Sequence, residues 1–192
     1  MRPATVARAR AVALVAALAL LAPVDSAAQV VPYRVQPEAS ELVFFATSRL
    51  MNAEGRFTRF QGTVDADPAN PAGGGKVSLK IEAASLDTGI AMRDRHLRSD
   101  DFFDVARFPA ITFESTRIEG SGRRLLVTGT LTIKGVAREI TVPVDVTATP
   151  SALMATGELS VSRADHGITY DSTLNPIGNT VRISFAVRAR PR

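Results

Sequence analysis

The sequence of 192 residues contains no cysteine. Disulfide bonds, thiol catalysis, cysteine-ligated metals and the lipid-modified cysteine of a bacterial lipoprotein are therefore excluded. The fold must be stabilised by burial and hydrogen bonding alone. Tryptophan is absent too, and there are only two tyrosines, so no aromatic platform for stacking nucleic-acid bases is visible.

A strong excess of one charge is also missing. The formal net charge is +4. The first 28 residues carry three arginines and one aspartate, so about +2 is left for the rest of the chain. Such a balance is typical of a solvated surface, and we expect no nucleic-acid partner.

Long hydrophobic runs are absent except for one near the N-terminus. Ala11–Ala22 is a run of 12 Ala, Leu and Val residues, preceded by three arginines and followed by small residues up to Ala28. This order predicts a cleaved export signal over residues 1–28. A membrane anchor is the alternative, but a spanning helix needs about 20 apolar residues. We expect residues 29–192 to form one soluble, exported domain that does not span a membrane.

Alternation of apolar and polar residues dominates the remaining chain. Each alternating segment predicts a strand with one dry and one wet face, as in an antiparallel sheet. The apolar sets are Val77, Leu79, Ile81 and Ala83; Ile111 and Phe113; Leu125, Val127, Leu131 and Ile133; Ile140, Val142, Val144 and Val146; and Val181, Ile183, Phe185, Val187 and Ala189. Further strands near residues 33–35, 42–48, 55–65 and 153–163 make eight or nine, and the fold class is all-β.

Glycine and proline mark the breaks between strands. Glu119–Gly122 and Lys134–Ala137 predict hairpins, and Pro68–Gly75 predicts a longer loop. A sandwich would bury one face of each strand, whereas a closed barrel would also hide the strand edges. The pattern does not choose between them. An eight-stranded barrel would have an interior that is filled with side chains or holds one small ligand.

One segment departs from alternation. Ile90, Asp94 and Leu97 recur at helical spacing, and Ser99 is placed to cap a second turn. The sequence therefore predicts one or two short helical turns within residues 90–103, crossing one end of the β structure.

Signatures of catalysis and of metal binding are missing. His96 and His166 lie in separate elements, and neither has a second histidine at ligand spacing. No Gly-x-Ser-x-Gly elbow and no phosphate-binding glycine loop occur. We therefore assign no catalytic residue, no metal ligand and no cofactor.

Two polar features can each be interpreted as purely structural or as part of a ligand-binding site. The cluster Arg93–Leu97 is either a solvated helix face or a pocket rim that offers Arg and His to a polar head group. Arg163 falls on the dry parity of its strand, where a charge is unfavourable unless it is paired. Either the strand ends at Ser162 and Arg163 turns outward or pairs with Asp165, or Arg163 is a cation inside a cavity.

Phenylalanine dominates the aromatic residues, with nine Phe in all. The Phe side chains are spread over most elements and form either an ordinary core or the lining of an apolar cavity. The sequence leaves both open.

Three motifs resemble the YceI-like family of exported proteins. The first runs from Ser85-Leu86-Asp87-Thr88-Gly89 through Arg93–Asp104 to Phe108-Pro109 and Phe113-Glu114-Ser115. The second is Gly129–Arg138 and the third is Arg163–Ile168. The resemblance extends from about Tyr33 to Ala189, nearly all of the mature chain.

The resemblance implies an extended, eight-stranded antiparallel barrel of lipocalin-like form, located in the periplasm and holding a long isoprenoid or similar lipid. Some relatives form homodimers. Relatives often carry histidines where this chain has Ala39 and Arg49, which suggests a different ligand or binding mode, and the Pro68–Gly75 loop is expected to be longer than in relatives. The residues expected to bind the ligand are Phe44, Phe57, Phe60, Leu79, Ile81, Arg93, Asp94, His96, Leu97, Phe102, Phe103, Phe108, Phe113, Arg163 and Phe185.

Three functions follow as hypotheses. The leading one is a protein that sequesters or carries an amphipathic lipid, a polyisoprenoid above all, and is not an enzyme. The second is an enzyme acting on a lipid, which needs a nucleophile and base that the sequence does not show. The third is a structural or interaction module with a filled core, which predicts no internal cavity.

Overall fold

The computed structural model describes residues 29–192, so the predicted export signal lies outside the described residues. Within them the chain forms eleven strands and one α-helix. These are β1 Val31–Val35, β2 Glu41–Ser48, β3 Ala53–Phe57, β4 Phe60–Ala66, β5 Lys76–Glu82, β6 Leu86–Asp87, α1 Ala91–Arg98, β7 Ala110–Ser121, β8 Arg124–Ile133, β9 Val136–Thr149, β10 Ala152–Ser162 and β11 Ile177–Pro191. Short 3-10 turns cover Pro37–Ala39, Ala83–Ser85 and Ala164–His166.

All the strands belong to one antiparallel sheet that closes on itself. The pairing order runs β1, β4, β5, β7, β8, β9, β10 and β11, and β11 pairs back onto β1. The closing register places Tyr33 opposite Pro191 and Val35 opposite Ala189. Of the two architectures that the sequence left open, the closed barrel is therefore the correct one, and closure protects the strand edges from pairing with other chains.

The wall of the barrel has eight strands although eleven segments are assigned. Three wall strands are interrupted: β1 continues into β2 after the turn Pro37–Ala39, β3 continues into β4 across Thr58 and Arg59, and β5 continues into β6 after Ala83–Ser85. The segments β2, β3 and β6 pair in the same order as β1, β4 and β5, since β11 pairs with β2, β2 with β3, and β3 with β6. The predicted eight-stranded antiparallel barrel is confirmed.

The strand register brings the predicted dry faces together inside the barrel. Between β8 and β9, Val127 lies opposite Val142 and Leu125 opposite Val144. Because side chains alternate between the two faces of a strand, one fixed register turns every apolar set of the pattern inward.

Both predicted hairpins form, with bounds that differ slightly from the prediction. The β7–β8 turn consists of Gly122 and Arg123, because Glu119 and Gly120 still pair with β8. The β8–β9 turn consists of Lys134 and Gly135, which both have positive φ. A two-residue hairpin of this kind favours positive φ because it follows the twist of its strands.

The helical segment crosses one end of the barrel, which we call the helix end. Asp94 is buried, and its Oδ1 accepts hydrogen bonds from the Thr88 backbone N at 2.9 Å and the Thr88 hydroxyl at 2.5 Å. Arg98 donates to the carbonyls of Ala84 and Leu86. These contacts fix both ends of α1 onto the preceding strand segment.

The second predicted helical turn is not regular helix. The Ser99 hydroxyl bonds backwards to the carbonyl of His96 at 2.7 Å and does not cap a following turn. Its own carbonyl accepts from the amides of Phe102 and Asp104. Residues 99–103 therefore form a chain of turns after a single helix. No helix among residues 29–192 is long and apolar enough to cross a bilayer.

The opposite end of the barrel packs around Tyr33. This side chain is fully buried, and its hydroxyl donates to the Thr149 carbonyl on β9 at 2.6 Å. Burial, with a smaller contribution from the charge of Asp67, raises the pKa of the Tyr33 phenol. The hydrogen bond between the Tyr33 hydroxyl and the Thr149 carbonyl holds the closing strand β1 against β9.

Replacing Tyr33 by Phe should lower the free energy of unfolding by about 1–2 kcal/mol, because the buried carbonyl of Thr149 loses its partner. Urea denaturation measures the change. Tyr170→Phe is the matched control, since the structure shows no hydrogen bond from the Tyr170 hydroxyl among the described residues, and it should leave stability unchanged. Equal effects of the two variants would contradict this role of Tyr33.

Candidate functional site

The interior of the barrel is hollow. It encloses a cavity of about 530 Å³, within the range of about 300–1,000 Å³ that is typical of small-molecule sites. Inner-face residues such as Ile183, Phe185 and Val187 keep partial exposure, although they point into the barrel. The Phe and aliphatic residues thus line a cavity, and the filled-core hypothesis, which required no internal cavity, is contradicted.

Polar lining residues are concentrated at one end of the cavity. The wall strands contribute apolar side chains almost throughout, from β2 to β11. The polar lining residues at the helix end are Ser48, Arg93, His96, Arg163, His166, Tyr170, Ser172 and Asn175, whereas Asp65 and Ser78 lie towards the other end. The cavity is therefore amphipathic along its length, with an apolar body and one polar end.

The mouth of the cavity lies at the helix end. Among the lining residues in the described part of the chain, only Met51 and His96 are exposed to solvent. Met51 follows β2, and His96 lies on α1. A ligand would therefore pass between the β2–β3 loop and the helix.

Glycines on neighbouring strands make room for three of the lining phenylalanines. A Cβ added at Gly157 would lie 2.5 Å from Cζ of Phe185, and one at Gly129 would lie 2.6 Å from Cζ of Phe113. Gly55 has the same relation to Phe44. Each ring thus covers a glycine backbone on the adjacent strand, which leaves the axis of the barrel open.

Twelve of the fifteen predicted ligand-binding residues line this cavity. They are Phe44, Phe57, Leu79, Ile81, Arg93, His96, Leu97, Phe102, Phe103, Phe113, Arg163 and Phe185. Three lie elsewhere. Phe60 is packed within the core, Asp94 faces Thr88 at the start of the helix, and Phe108 covers Gly135 in the β8–β9 turn.

Arg163 lines the cavity, as one of the arrangements considered from sequence required, but its guanidinium is already bound by the protein. The strand does end at Ser162, but Arg163 forms no ion pair with Asp165 among the described residues. The guanidinium instead donates to four backbone carbonyls, those of Ile168, Tyr170, Ile177 and Gly178, at 2.6–3.1 Å. Four of its five N–H groups are therefore occupied, and the side chain organises the loop before β11.

A second hydrogen bond, from His166, holds the same loop before β11. His166 is only 1% exposed, and its Nδ1 lies 2.9 Å from the carbonyl of Val136 on β9. Since a carbonyl oxygen only accepts, Nδ1 is the protonated nitrogen. Arg163 and His166 together keep residues 164–176 folded over the helix end of the barrel.

Arg93 and His96 both lie at the mouth, but they differ in how many of their hydrogen-bonding groups are already used. Arg93 uses Nε and one Nη2 hydrogen to bind Thr88, at 2.8 and 3.0 Å, which leaves three N–H donors. His96 Nε2 lies 3.1 Å from Asp101 Oδ2. Its ring also meets Phe102 and Tyr170 edge to face at about 5 Å. Arg93 is thus the cation best able to meet a bound head group.

Several lining residues were not predicted from sequence, because they lie in loops that show no regular alternation of apolar and polar residues. Tyr170, Ser172 and Asn175 come from the segment before β11, and Met51 comes from the β2–β3 loop. Asn175 Oδ1 accepts from the Leu50 amide at 2.8 Å and so joins the two loops. No hydropathy signal identifies such residues, because their position depends on contacts between distant segments.

The described residues, 29–192, contain no cluster of three or more His, Asp or Glu side chains suited to hold a metal ion. The His96–Asp101 pair lies beside the rings of Phe102 and Tyr170, and the nearby Ser99 hydroxyl donates to the His96 carbonyl. The site's chemistry is that of an apolar container with a few polar groups at its mouth.

Replacing Arg163 by Lys should lower stability by about 2 kcal/mol, because an ammonium cannot reach four carbonyls that a planar guanidinium spans. Hydrogen exchange of residues 164–176 should become faster. Arg95→Lys is the control, an exposed arginine on α1. Unchanged exchange in Arg163→Lys would show that other contacts hold the loop.

A closed, eight-stranded antiparallel barrel with a hollow apolar interior places the protein in the lipocalin-like class of barrels. The sequence model of the YceI-like domain matches residues 33–189. The chain therefore belongs to the YceI-like family, as its motifs predicted.

Similar proteins agree with this assignment. The chain is 46% identical over 87 residues to a UPF0312 protein of Enterobacter sp. strain 638, and 45% identical over 87 residues to protein YceI of Escherichia coli O157:H7. Each alignment covers 45% of this chain and 45% of the relative, so the chain spans less than half the length of the relatives it matches.

Solved structures share the fold over a greater length. BcnA of Burkholderia cenocepacia superposes with a TM-score of 0.74 at 30% identity, covering 80% of this chain and 98% of BcnA. The YceI protein of Campylobacter jejuni gives 0.68 at 27% identity, covering 75% and 88%. A polyisoprenoid-binding domain of Saccharophagus degradans gives 0.68 at 22% identity, covering 85% and 100%, and this last likeness concerns the fold alone.

Proposed function

We propose that this protein sequesters or carries an amphipathic lipid, specifically a polyisoprenoid, in the periplasm after cleavage of residues 1–28. The observation that carries the proposal is the hollow, apolar barrel whose polar groups gather at one end. The structure named as a polyisoprenoid-binding domain has the same fold, which is consistent with this ligand class. The homodimer expected from the family resemblance stays a prediction.

Burial of the ligand supplies the affinity. Each methylene that leaves water for the cavity contributes about 0.8 kcal/mol, so a long chain binds tightly without any covalent step. The cavity extends from Pro71 in the β4–β5 loop to Met51 at the mouth. The wall strand β9 has 14 residues, which is about 48 Å along the strand at 3.4 Å per residue, and the distance along the barrel axis is shorter because barrel strands are tilted. A long, flexible hydrocarbon chain is a ligand that an interior enclosed by such strands can hold.

The polar mouth would orient the ligand. The hydrocarbon chain points towards the end of the barrel where Tyr33 is buried, and the head group stays between Arg93 and the loop that carries Tyr170 and Asn175. The free N–H groups of Arg93 are donors for a hydroxyl, carbonyl or phosphate oxygen. In this role Arg163 positions the loop, while Arg93 contacts the ligand.

An enzyme is the weaker alternative. Turnover would need a nucleophile beside a base, or an acid and a base on opposite sides of a reacting group. His96 is an exposed imidazole at the mouth, and its neighbours there include Asp101, Phe102 and Tyr170. These groups favour holding a ligand over transforming it.

The proposal is tested by filling the cavity from within. Ala155 on β10 lines the cavity between Val146 and Val187, and Ala155→Phe would displace about four carbons of a bound chain. At about 0.8 kcal/mol each, binding of a long-chain polyprenol should weaken about two-hundredfold. Binding is measured by equilibrium titration of the purified mature protein with the polyprenol.

Thr156→Phe provides the matched control, because Thr156 is the next residue on β10 and faces outward. This variant should bind the polyprenol like the wild type. Thermal unfolding of both variants shows that each is folded. Wild-type affinity in a folded Ala155→Phe variant would refute binding inside the barrel.

A further inference from the structure

The large apolar side chains that face solvent are gathered around the cavity mouth. Leu50, Met51, Ile90, Met92 and Leu174 are all exposed, and three of them, Leu50, Met92 and Leu174, are 73%, 79% and 82% exposed. We call these five residues the mouth rim. All five lie in segments at the helix end of the barrel.

The rest of the described surface exposes fewer large apolar side chains, and each of them is less exposed than Leu50, Met92 or Leu174. Its other exposed large apolar residues are Val30, before β1, and Leu126 and Met154 on the outer wall, at 47%, 47% and 44% exposure. Single exposed apolar residues are ordinary on a protein surface, whereas a group around one opening marks an interaction site.

The mouth rim is continuous with the opening of the cavity. The Leu50 amide binds Asn175 Oδ1 at 2.8 Å, and the Arg49 amide binds the Pro176 carbonyl at 3.1 Å, so the loops that carry Leu50 and Leu174 are joined. Met92 lies four residues before His96 and therefore on the same face of α1. Any surface that covers the rim also covers the opening.

Three arginines at the helix end offer positive charge to an anionic partner. Arg49 and Arg95 are exposed and form no ion pair with a described residue, and neither does Arg93. Among the carboxylates at this end, Asp101 binds His96 and Asp171 accepts from the amides of Ser172 and Ile177, whereas Asp100 and Asp165 are exposed and form no ion pair with a described residue. Arginine next to exposed Leu and Met is the combination that binds the surface of an anionic bilayer.

We propose that the mouth rim docks on the surface of an anionic phospholipid bilayer, so that the lipid passes between membrane and cavity without crossing water. The apolar side chains enter the boundary between head groups and acyl chains, and the arginines bind phosphate oxygens. This inference rests on the proposed function, because it specifies where the lipid is collected or released.

The test separates docking from lipid binding by choosing residues that do not line the cavity. Leu50→Ser, Met92→Ser and Leu174→Ser are combined in one rim variant, and Leu126→Ser and Met154→Ser form the wall control. Sedimentation with vesicles of equal parts phosphatidylethanolamine and phosphatidylglycerol measures docking. Polyprenol titration of each variant measures the cavity.

The wild type and the wall control should sediment with the vesicles, and the rim variant should remain in solution with unchanged polyprenol affinity. Replacing Arg49 and Arg95 by Ala should weaken vesicle binding about fivefold for each arginine, and added salt should remove this contribution. Vesicles of phosphatidylcholine alone should bind the wild type more weakly.

Three results would overturn the proposal. The wild type fails to sediment with anionic vesicles, the rim variant sediments like the wild type, or the rim substitutions change a dimer into a monomer without changing vesicle binding. The last result would assign the rim to a second copy of the chain. Docking without polyprenol binding would instead refute the proposed function alone, because the two readouts are independent.

Discussion

Closure of the β ladder is the constraint on which the rest of the structure depends. The pairing of β1 with β11 joins the first and last strands of the barrel and leaves no free edge there. Once the ring is closed, the register of every pair is set, and each apolar set must face the interior. The Tyr33–Thr149 hydrogen bond reinforces this closure from inside the barrel. The interior surface is therefore a direct consequence of strand alternation plus closure.

Packing then determines that the closed barrel stays hollow. Phe44, Phe113 and Phe185 each cover a glycine on the neighbouring strand instead of pointing to the axis. A cavity lined by apolar groups lacks the dispersion contacts of a filled core, so an apolar guest that fits gains both those contacts and its own release from water. The polar groups are concentrated at the helix end, where α1 and the loop held by Arg163 cover the barrel. The same fold thus supplies affinity along its walls and orientation at its mouth.

The sequence predicted the strands and their inner faces well, because period-two alternation depends only on local geometry. Val181, Ile183, Phe185 and Val187 line the cavity as their parity required. Barrel and sandwich were indistinguishable from that pattern, since both bury alternate residues, and the choice depends on the distant pair β1 and β11. Phe60 and Phe108 were assigned to the cavity on residue type, which does not tell on which side a ring packs. Arg163 and the loop residues Tyr170 and Asn175 depend on long-range hydrogen bonds that no local pattern encodes.

The central claim is that the barrel is a container for one apolar chain, and native mass spectrometry of the mature protein purified from an exporting host tests it most directly. The mass under native conditions is compared with the denatured mass, and any released molecule is extracted and identified. The account predicts a stoichiometric excess of mass that belongs to a long-chain isoprenoid or a related amphipathic lipid. A protein that arrives empty, and also takes up no added polyprenol or fatty acid, would contradict it.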